Sequence, residues 1–375
     1  MKRRFSIATM VAAATLLVGA DFPDDADLVY IDLGHHDLPA DGGSTPLLEI
    51  AIPSGTTSMV AYCGNYGDTA LGAPYQVVDP SGKTLYNGDE PEKYEIRAGY
   101  VDDTSAFVYP ITPRQEFAPG TWKISYMMSE GNSGGADCGA ILRSSPAGET
   151  AKIGIEFVFV GLGGLDASTA ATHEQFQEFV KTMRKELGQA GITVEVGYRD
   201  FPGDVAKYTV LDMSDDDMSE FNALLRQSAP PTKRVISVFL VQEISNSSAG
   251  GSTVLGMSAG PPGLAGLPGT SKSGLVVGAI DLMSFPADVA KILTHELAHY
   301  AGLYHTTEKR GGKFDPMGDT PQCTVDPNVN GILSSHECLE SGGANNVMWW
   351  TLKKDVDRPL SPEQAWLLRN SVAAE

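Results

Sequence analysis

From Thr45 to about Ala147 the apolar positions fall in short runs: LLEIAI, SMVAYC, YQVVD, AFVYPI and TWKISYMM. These runs are rich in β-branched and aromatic residues, the composition of pleated, half-buried strands. Turn residues separate them at Pro53–Ser54–Gly55, Asp79–Pro80–Ser81–Gly82, Asn87–Gly88 and Pro119–Gly120. No 3.6-residue period appears, so the pattern predicts an antiparallel β-sandwich over residues 45–149. The style changes near Thr150. KIGIEFVFVG is a continuous apolar run, as in a strand covered on both faces. Residues 170–189 then show helical spacing at Phe176, Phe179, Val180, Met183 and Leu187, closed by Gly188 and Gly191. ITVEVGY, VISVFLVQEI and GLVVGAI read as further strands. Between the first two, Ser214 followed by Asp217 predicts a helix start. Ser284 and Pro286 mark another, with Val289, Ile292, Leu293 and Leu297 as its buried stripe. Residues 246–274 are rich in Gly, Ser and Pro and read as a long structured loop that shapes a cleft. The expected fold is therefore α+β: a mixed sheet with helices over residues 150–375, preceded by an all-β sandwich-like unit.

The first 44 residues differ from both parts. Lys2, Arg3 and Arg4 precede a mostly apolar stretch from Phe5 to Gly19, with small residues at Val18 and Ala20. That is the pattern of a secretory signal peptide, residues 1–20, cut after Ala20. The competing reading is an N-terminal membrane anchor, for which the apolar stretch is short. Residues 21–44 carry Asp21, Asp24, Asp25 and Asp27 and the vicinal pair His35–His36, and read as an irregular lead-in or short pro-segment. Export brings an oxidising compartment, in which the four cysteines, Cys63, Cys138, Cys323 and Cys338, favour two disulfides with three connectivities open. Proximity in sequence favours Cys63–Cys138 and Cys323–Cys338. The formal charge of −20 excludes affinity for nucleic acid or anionic membrane surfaces and suits an acidic, well-solvated exported protein with no stable membrane insertion after signal cleavage.

The chemistry is concentrated in His295 to His305, HELAHYAGLYH. His295 and His299 are four apart and share one helix face. Glu296 is next to the first of them. Gly302 ends the helix cheaply in the left-handed conformation, and His305 returns to the same point. Three protein ligands plus an open position are what a catalytic zinc requires, and a carboxylate beside the first ligand is placed to act as general base. From this composition, a chance match at these five positions is on the order of one in 10⁵ per chain, so accident is set aside.

With that spacing the chain resembles the metzincin metallopeptidases, and within them the pappalysin-like branch of bacterial secreted enzymes, over residues 150–375. The resemblance implies a secreted endopeptidase acting on protein or peptide substrates, with one catalytic zinc on His295, His299 and His305 and Glu296 as the catalytic base. It implies that Asn345–Trp350 is a turn beneath the metal with Met348 as its supporting methionine. Where many relatives have a tyrosine, this chain has Trp350, which becomes the candidate oxyanion or cleft contact. Gly318–Asp319–Thr320–Pro321, with Cys323 and Cys338 nearby, is similar to a family segment, and Asp315 and Asp319 are the calcium candidates it implies. Ser361–Pro362–Glu363–Gln364 predicts a capped closing helix with Ala365, Leu367 and Leu368 inward. The alternative in another class is a zinc-binding but narrow or inactive adhesion protein whose β-sandwich carries the function. If residues 150–375 are self-sufficient, a chain lacking 21–149 should keep zinc-dependent cleavage.

Overall fold

The computed structural model describes residues 27–38, 43–64, 71–89, 95–101, 104–128, 134–146, 148–213, 218–228, 234–246, 252–260, 262–265, 267, 269–325, 331–339, 343–351 and 359–375. The signal-peptide region and the Ser214–Asp217 helix start lie outside these residues.

Among the described residues nine strands come first: β1 (Leu28–Leu38), β2 (Leu48–Ile52), β3 (Ser58–Gly64), β4 (Leu71–Val78), β5 (Thr84–Asn87), β6 (Arg97–Val101), β7 (Thr104–Tyr109), β8 (Gly120–Met128) and β9 (Gly134–Arg143). They form two antiparallel sheets, ordered β1-β9-β3-β7-β6 and β2-β8-β4-β5. Residues 28–38 are therefore not an irregular lead-in. Their apolar residues were masked by interspersed Asp and His, and β9 supplies the missing backbone partners along the whole strand. His35 meets Asp137 at 2.9 Å and His36 meets the Leu33 carbonyl at 2.8 Å, so the vicinal pair is tied into the sheet.

The alternation of strand side chains explains how the first sheet is buried twice. Met59, Ala61, Phe107, Tyr109, Ala140 and Leu142 face the second sheet's Ile50, Val77, Trp122 and Ile124. Val60, Tyr62, Ala106, Val108 and Ile141 point the other way, into a core shared with Leu264, Leu267, Val372 and Tyr304 from the second half of the chain. All seven residues of β3 are buried, which a sheet with one solvated face does not permit.

The second half holds β10 (Ala151–Val160), α1 (Glu174–Gln189), β11 (Ile192–Asp200), α2 (Val205–Tyr208), β12 (Val210–Asp212), α3 (Ser219–Leu225), β13 (Val235–Val241), β14 (Glu243–Asn246), β15 (Ser252–Val254), β16 (Gly256–Ser258), β17 (Gly274–Gly278), α4 (Pro286–Ala301) and α5 (Pro362–Asn370). Its main sheet runs β11-β10-β13-β17-β16, parallel except for the antiparallel edge strand β16. Ile155, Phe157 and Leu240 face α1 and α4. Val158, Phe239 and Val276 face Phe221 and Leu224 of α3. With both faces covered, these strands read as continuous apolar runs. The 246–274 stretch, expected as loop, contains β15 and β16. The molecule is thus a mixed α+β structure with several sheets and few helices.

Candidate metal centre

Helix α4 begins with Pro286 at its first position, where the missing N–H costs nothing. Its cap is Phe285, with no side-chain hydrogen bond, so Ser284 marks the start without capping it. Val289, Leu293 and Leu297 are buried in the main core and fix the helix rotation. That rotation presents His295 and His299 together. Gly302 ends the helix at φ +114°, and Leu303 N–H bonds back to the Ala298 carbonyl at 3.0 Å. Gly302 also has no room for a side chain: a Cβ there would sit 2.8 Å from Val108 Cγ1 of β7.

The chain then brings His305 to the pair. His299 Nε2 lies 3.0 Å from His295 Nε2 and 3.0 Å from His305 Nε2. Each opposite nitrogen meets an acceptor: His295 Nδ1 the Val347 carbonyl at 2.7 Å, His299 Nδ1 the Leu303 carbonyl at 2.9 Å, and His305 Nδ1 the Glu308 carboxylate at 3.0 Å. A nitrogen facing a carbonyl or carboxylate must carry the proton, so each Nε2 presents a lone pair inward. Burial, then the neighbouring imidazoles, holds His299 well below the usual histidine range and keeps it neutral. Three lone pairs converging on one point repel one another unless a cation sits among them. Ligands of a tetrahedral zinc lie about 3.3 Å apart. The 3.0 Å pairs fall a few tenths of an ångström inside that spacing, so the residues fit such an ion. Among the described residues, these histidines form the only group of three or more suited to a metal.

Glu296 is buried, and burial pushes its carboxyl up to about 8, against the pull of a hydrogen bond from the Ser258 backbone. A cation beside it would draw that value down again. It opens on a cleft of about 390 Å³ whose walls include Gly256 of β16, Ile292, Val347, Trp349 and Trp350. Gly256 lets β16 approach: a Cβ there would lie 2.7 Å from Ile292 and 3.0 Å from Glu296 Cγ.

Met348 is fully buried in the main core. Its backbone is tied by Asn346 Oδ1 at 2.8 Å and Thr306 N–H at 2.9 Å, and this holds the adjacent Val347 carbonyl against His295. Trp350 lines the cleft, and its indole N–H, the group an oxyanion contact would use, donates to the Leu333 carbonyl at 3.0 Å. The calcium reading of Asp315 and Asp319 is withdrawn. Asp315 is buried and accepts from Thr320 Oγ1 at 2.5 Å and Gln364 Nε2 at 3.3 Å. Asp319 accepts from Ser361 Oγ at 2.7 Å and Glu363 N–H at 2.8 Å, serving the N-terminus of α5. Their oxygens are committed to the fold. Cys63 is joined to Cys138 across β3 and β9, and Cys323 to Cys338 beside the centre, which leaves no cysteine thiolate for the metal.

Sequence reasoning missed the carbonyls of Val347 and Leu303, which carry no side-chain signal. It also missed Glu308, although a carboxylate three residues after His305 was legible. It missed Tyr304, whose ring lies 3.4 Å beneath the Arg97 guanidinium and whose hydroxyl donates to the Ile96 carbonyl at 3.2 Å.

No protein-family model matches the chain, and no curated protein matches it. Among solved structures it is similar to archaemetzincin from Methanopyrus kandleri, at 17% identity over 60% of this chain and 97% of that one, with a TM-score of 0.33. Metalloproteinase-II from Bacteroides fragilis aligns at 10% identity over 63% of each chain, with a TM-score of 0.32. A third, YXIM from Bacillus subtilis, covers 94% of this chain and 91% of its own at 10% identity and a TM-score of 0.18. All three scores are low, and the functional reading rests on the residues of the site alone.

Proposed function

We propose that this protein is a zinc-dependent endopeptidase of the metzincin type. The observation that carries the reading is the convergence of three Nε2 atoms, each with its Nδ1 proton fixed by an acceptor, beside a buried carboxylate on the same helix. His295, His299 and His305 would hold the ion. Held by three neutral imidazoles, the ion would keep its full charge and would supply acidification of a water and polarisation of a peptide carbonyl. Glu296 accepts the proton of the attacking water and passes it to the leaving amine. Val347, Leu303 and Glu308 keep the imidazoles in the ligating tautomer. The edge strand β16, beside Glu296, offers backbone groups to an extended peptide. The two disulfides are consistent with an extracytoplasmic site of action, and strands β1 to β9 are read as a sandwich that begins at Leu28.

The test is zinc content together with cleavage of an unstructured protein such as casein, with and without chelator. One zinc per chain and chelator-sensitive cleavage are expected. Glu296→Ala should keep the zinc and lose about 10²- to 10⁴-fold in rate. A chain that binds no zinc, or a Glu296→Ala chain that cuts at the normal rate, overturns the mechanism.

A further inference from the structure

Between Gly302 and Glu308 one turn carries three parts of the metal centre: the Leu303 carbonyl that orients His299, the ligand His305, and the Glu308 carboxylate that orients His305. Helix α4 has already ended here, and its last bond to this turn is from Leu303 N–H to the Ala298 carbonyl. Part of the turn's restraint is the Thr306 N–H bond to the Met348 carbonyl, and part comes from the first β-sheet. Arg97, the first residue of β6, lies over the Tyr304 ring at 3.4 Å, and its neighbour Ile96 accepts the Tyr304 hydroxyl at 3.2 Å. Tyr304 is thus gripped on its face and at its tip, one residue before the third ligand. Val108 of β7 packs where a side chain at Gly302 would be.

We propose that the first β-sheet is part of the metal centre, with Arg97 as a positioning residue that fixes the turn carrying His305. The proposal rests on the zinc reading above. Its mechanism is pre-organisation: a ligand already held in place loses little freedom when the ion arrives, and outer contacts of this kind govern metal affinity.

The experiment uses the full chain. Zinc affinity is measured by chelator competition for wild type, Arg97→Ala, Arg97→Lys and Tyr304→Phe. Arg97→Ala should bind about 10- to 100-fold more weakly. Arg97→Lys should recover part of the loss, because an ammonium can also sit over the ring. Tyr304→Phe, which keeps the ring and loses the hydroxyl, tests the grip if the arginine variant fails to fold. Lys123→Ala, on the opposite sheet, should leave affinity unchanged. A purely structural arginine would not alter the ligand field, so cobalt(II)-loaded Arg97→Ala should show a changed visible spectrum. Affinity and spectrum within error of wild type in both Arg97→Ala and Tyr304→Phe overturn the proposal. A wild-type chain that binds no zinc overturns the function reading beneath it.

The cleft carries a second inference independently. On a chain of charge −20, two of the residues lining it are Lys291 and Lys309, and Glu296 is the only carboxylate among the described lining residues. Lys291 lies one turn before His295, is largely buried, and forms an ion pair with Asp288 Oδ1 at 3.8 Å. Lys309 Nζ stands 5.6 Å over the Trp350 ring, on the cleft wall. We infer that substrates place an acidic side chain, Asp or Glu, beside the scissile bond, its carboxylate between these lysines. Lys309 is exposed, whereas Lys291 is largely buried, and the lower dielectric there strengthens its attraction to a carboxylate. Cut sites in a mixture of unstructured peptides, mapped by mass spectrometry, should show Asp and Glu enriched about fivefold at one fixed position. The double variant Lys291→Glu, Lys309→Glu should shift that preference to Lys and Arg. Cleavage with no acidic preference, or a preference indifferent to the double variant, overturns the inference. A wild-type chain that cuts nothing fails at the peptidase reading instead, and takes this inference with it.

Discussion

Gly302 joins the helix end, the metal turn and the first sheet, so its replacement by alanine tests the packing most directly. Two penalties apply. At φ +114° an L-residue costs about 1–2 kcal/mol relative to glycine. The added Cβ would lie 2.8 Å from Val108 Cγ1, well inside ordinary contact, and forcing the helix end off β7 costs about 1–3 kcal/mol. Gly302→Ala should therefore destabilise the chain by about 2–5 kcal/mol. The backbone part cannot be relieved by a neighbour, but the steric part can. Val108→Ala alone should cost about 1–2 kcal/mol for the buried methyls it removes. In Gly302→Ala with Val108→Ala, the two losses should fall short of additivity by about 1–2 kcal/mol. The assay is urea unfolding of the zinc-free chain followed by tryptophan fluorescence, with the dependence on urea checked for constancy. Additivity within 0.5 kcal/mol, about the usual error of such cycles, would falsify the claim that the first sheet packs against the end of the metal-binding helix.

Four further outcomes follow from the same structure. A chain lacking residues 21–149, expected from sequence to keep cleavage, should instead aggregate and lose zinc, because Leu264, Leu267 and Val372 would lose their cover and Tyr304 its arginine; a soluble, zinc-loaded fragment on a sizing column would refute this. Burial pushes the Asp315 carboxyl up to about 6, so the folded chain holds this proton more tightly than the unfolded one. Its contribution is fully present below about pH 4 and fades as pH rises to about 6, by about 3 kcal/mol at most. Asp315→Asn should flatten that part of the stability–pH curve, and an unchanged slope counts against the assignment. Replacing Cys323 and Cys338 by serine opens a loop whose ends are 15 residues apart and should cost about 3 kcal/mol, read from the shift in urea midpoint. Saturating zinc at about 100 times its dissociation constant should stabilise the wild type by about 2.7 kcal/mol and the His305→Ala chain by far less.

The metal centre was legible in the sequence because its ligands are local. His295, Glu296 and His299 lie within one turn of a helix whose apolar stripe fixes which way they face, and Gly302 states where that helix must end. Strands β10, β13 and β17 were legible because a sheet covered on both faces writes itself as unbroken apolar runs, whereas β12, β15 and β16 were not. The capped start of α5 was legible because Ser361 and Gln364 bond to each other's backbone, three residues apart. What sequence could not supply is whatever depends on a distant backbone or a distant charge. β1 was hidden because its hydrogen-bond partners lie about a hundred residues away, and His35 and His36 find partners in β9 and in the strand's own backbone. Asp315 and Asp319 looked like cation ligands until their oxygens were found bonded to Thr320, Gln364, Ser361 and Glu363. The carbonyls of Val347 and Leu303, which set the imidazole tautomers, leave no trace in residue identity. Arg97, some two hundred residues before the ligand it steadies, is one arginine among many until tertiary packing lays it over Tyr304. The sequence determined which chemistry the chain can hold. The tertiary structure decided what holds that chemistry still, because orientation is fixed by contacts between segments that the chain's own order keeps apart.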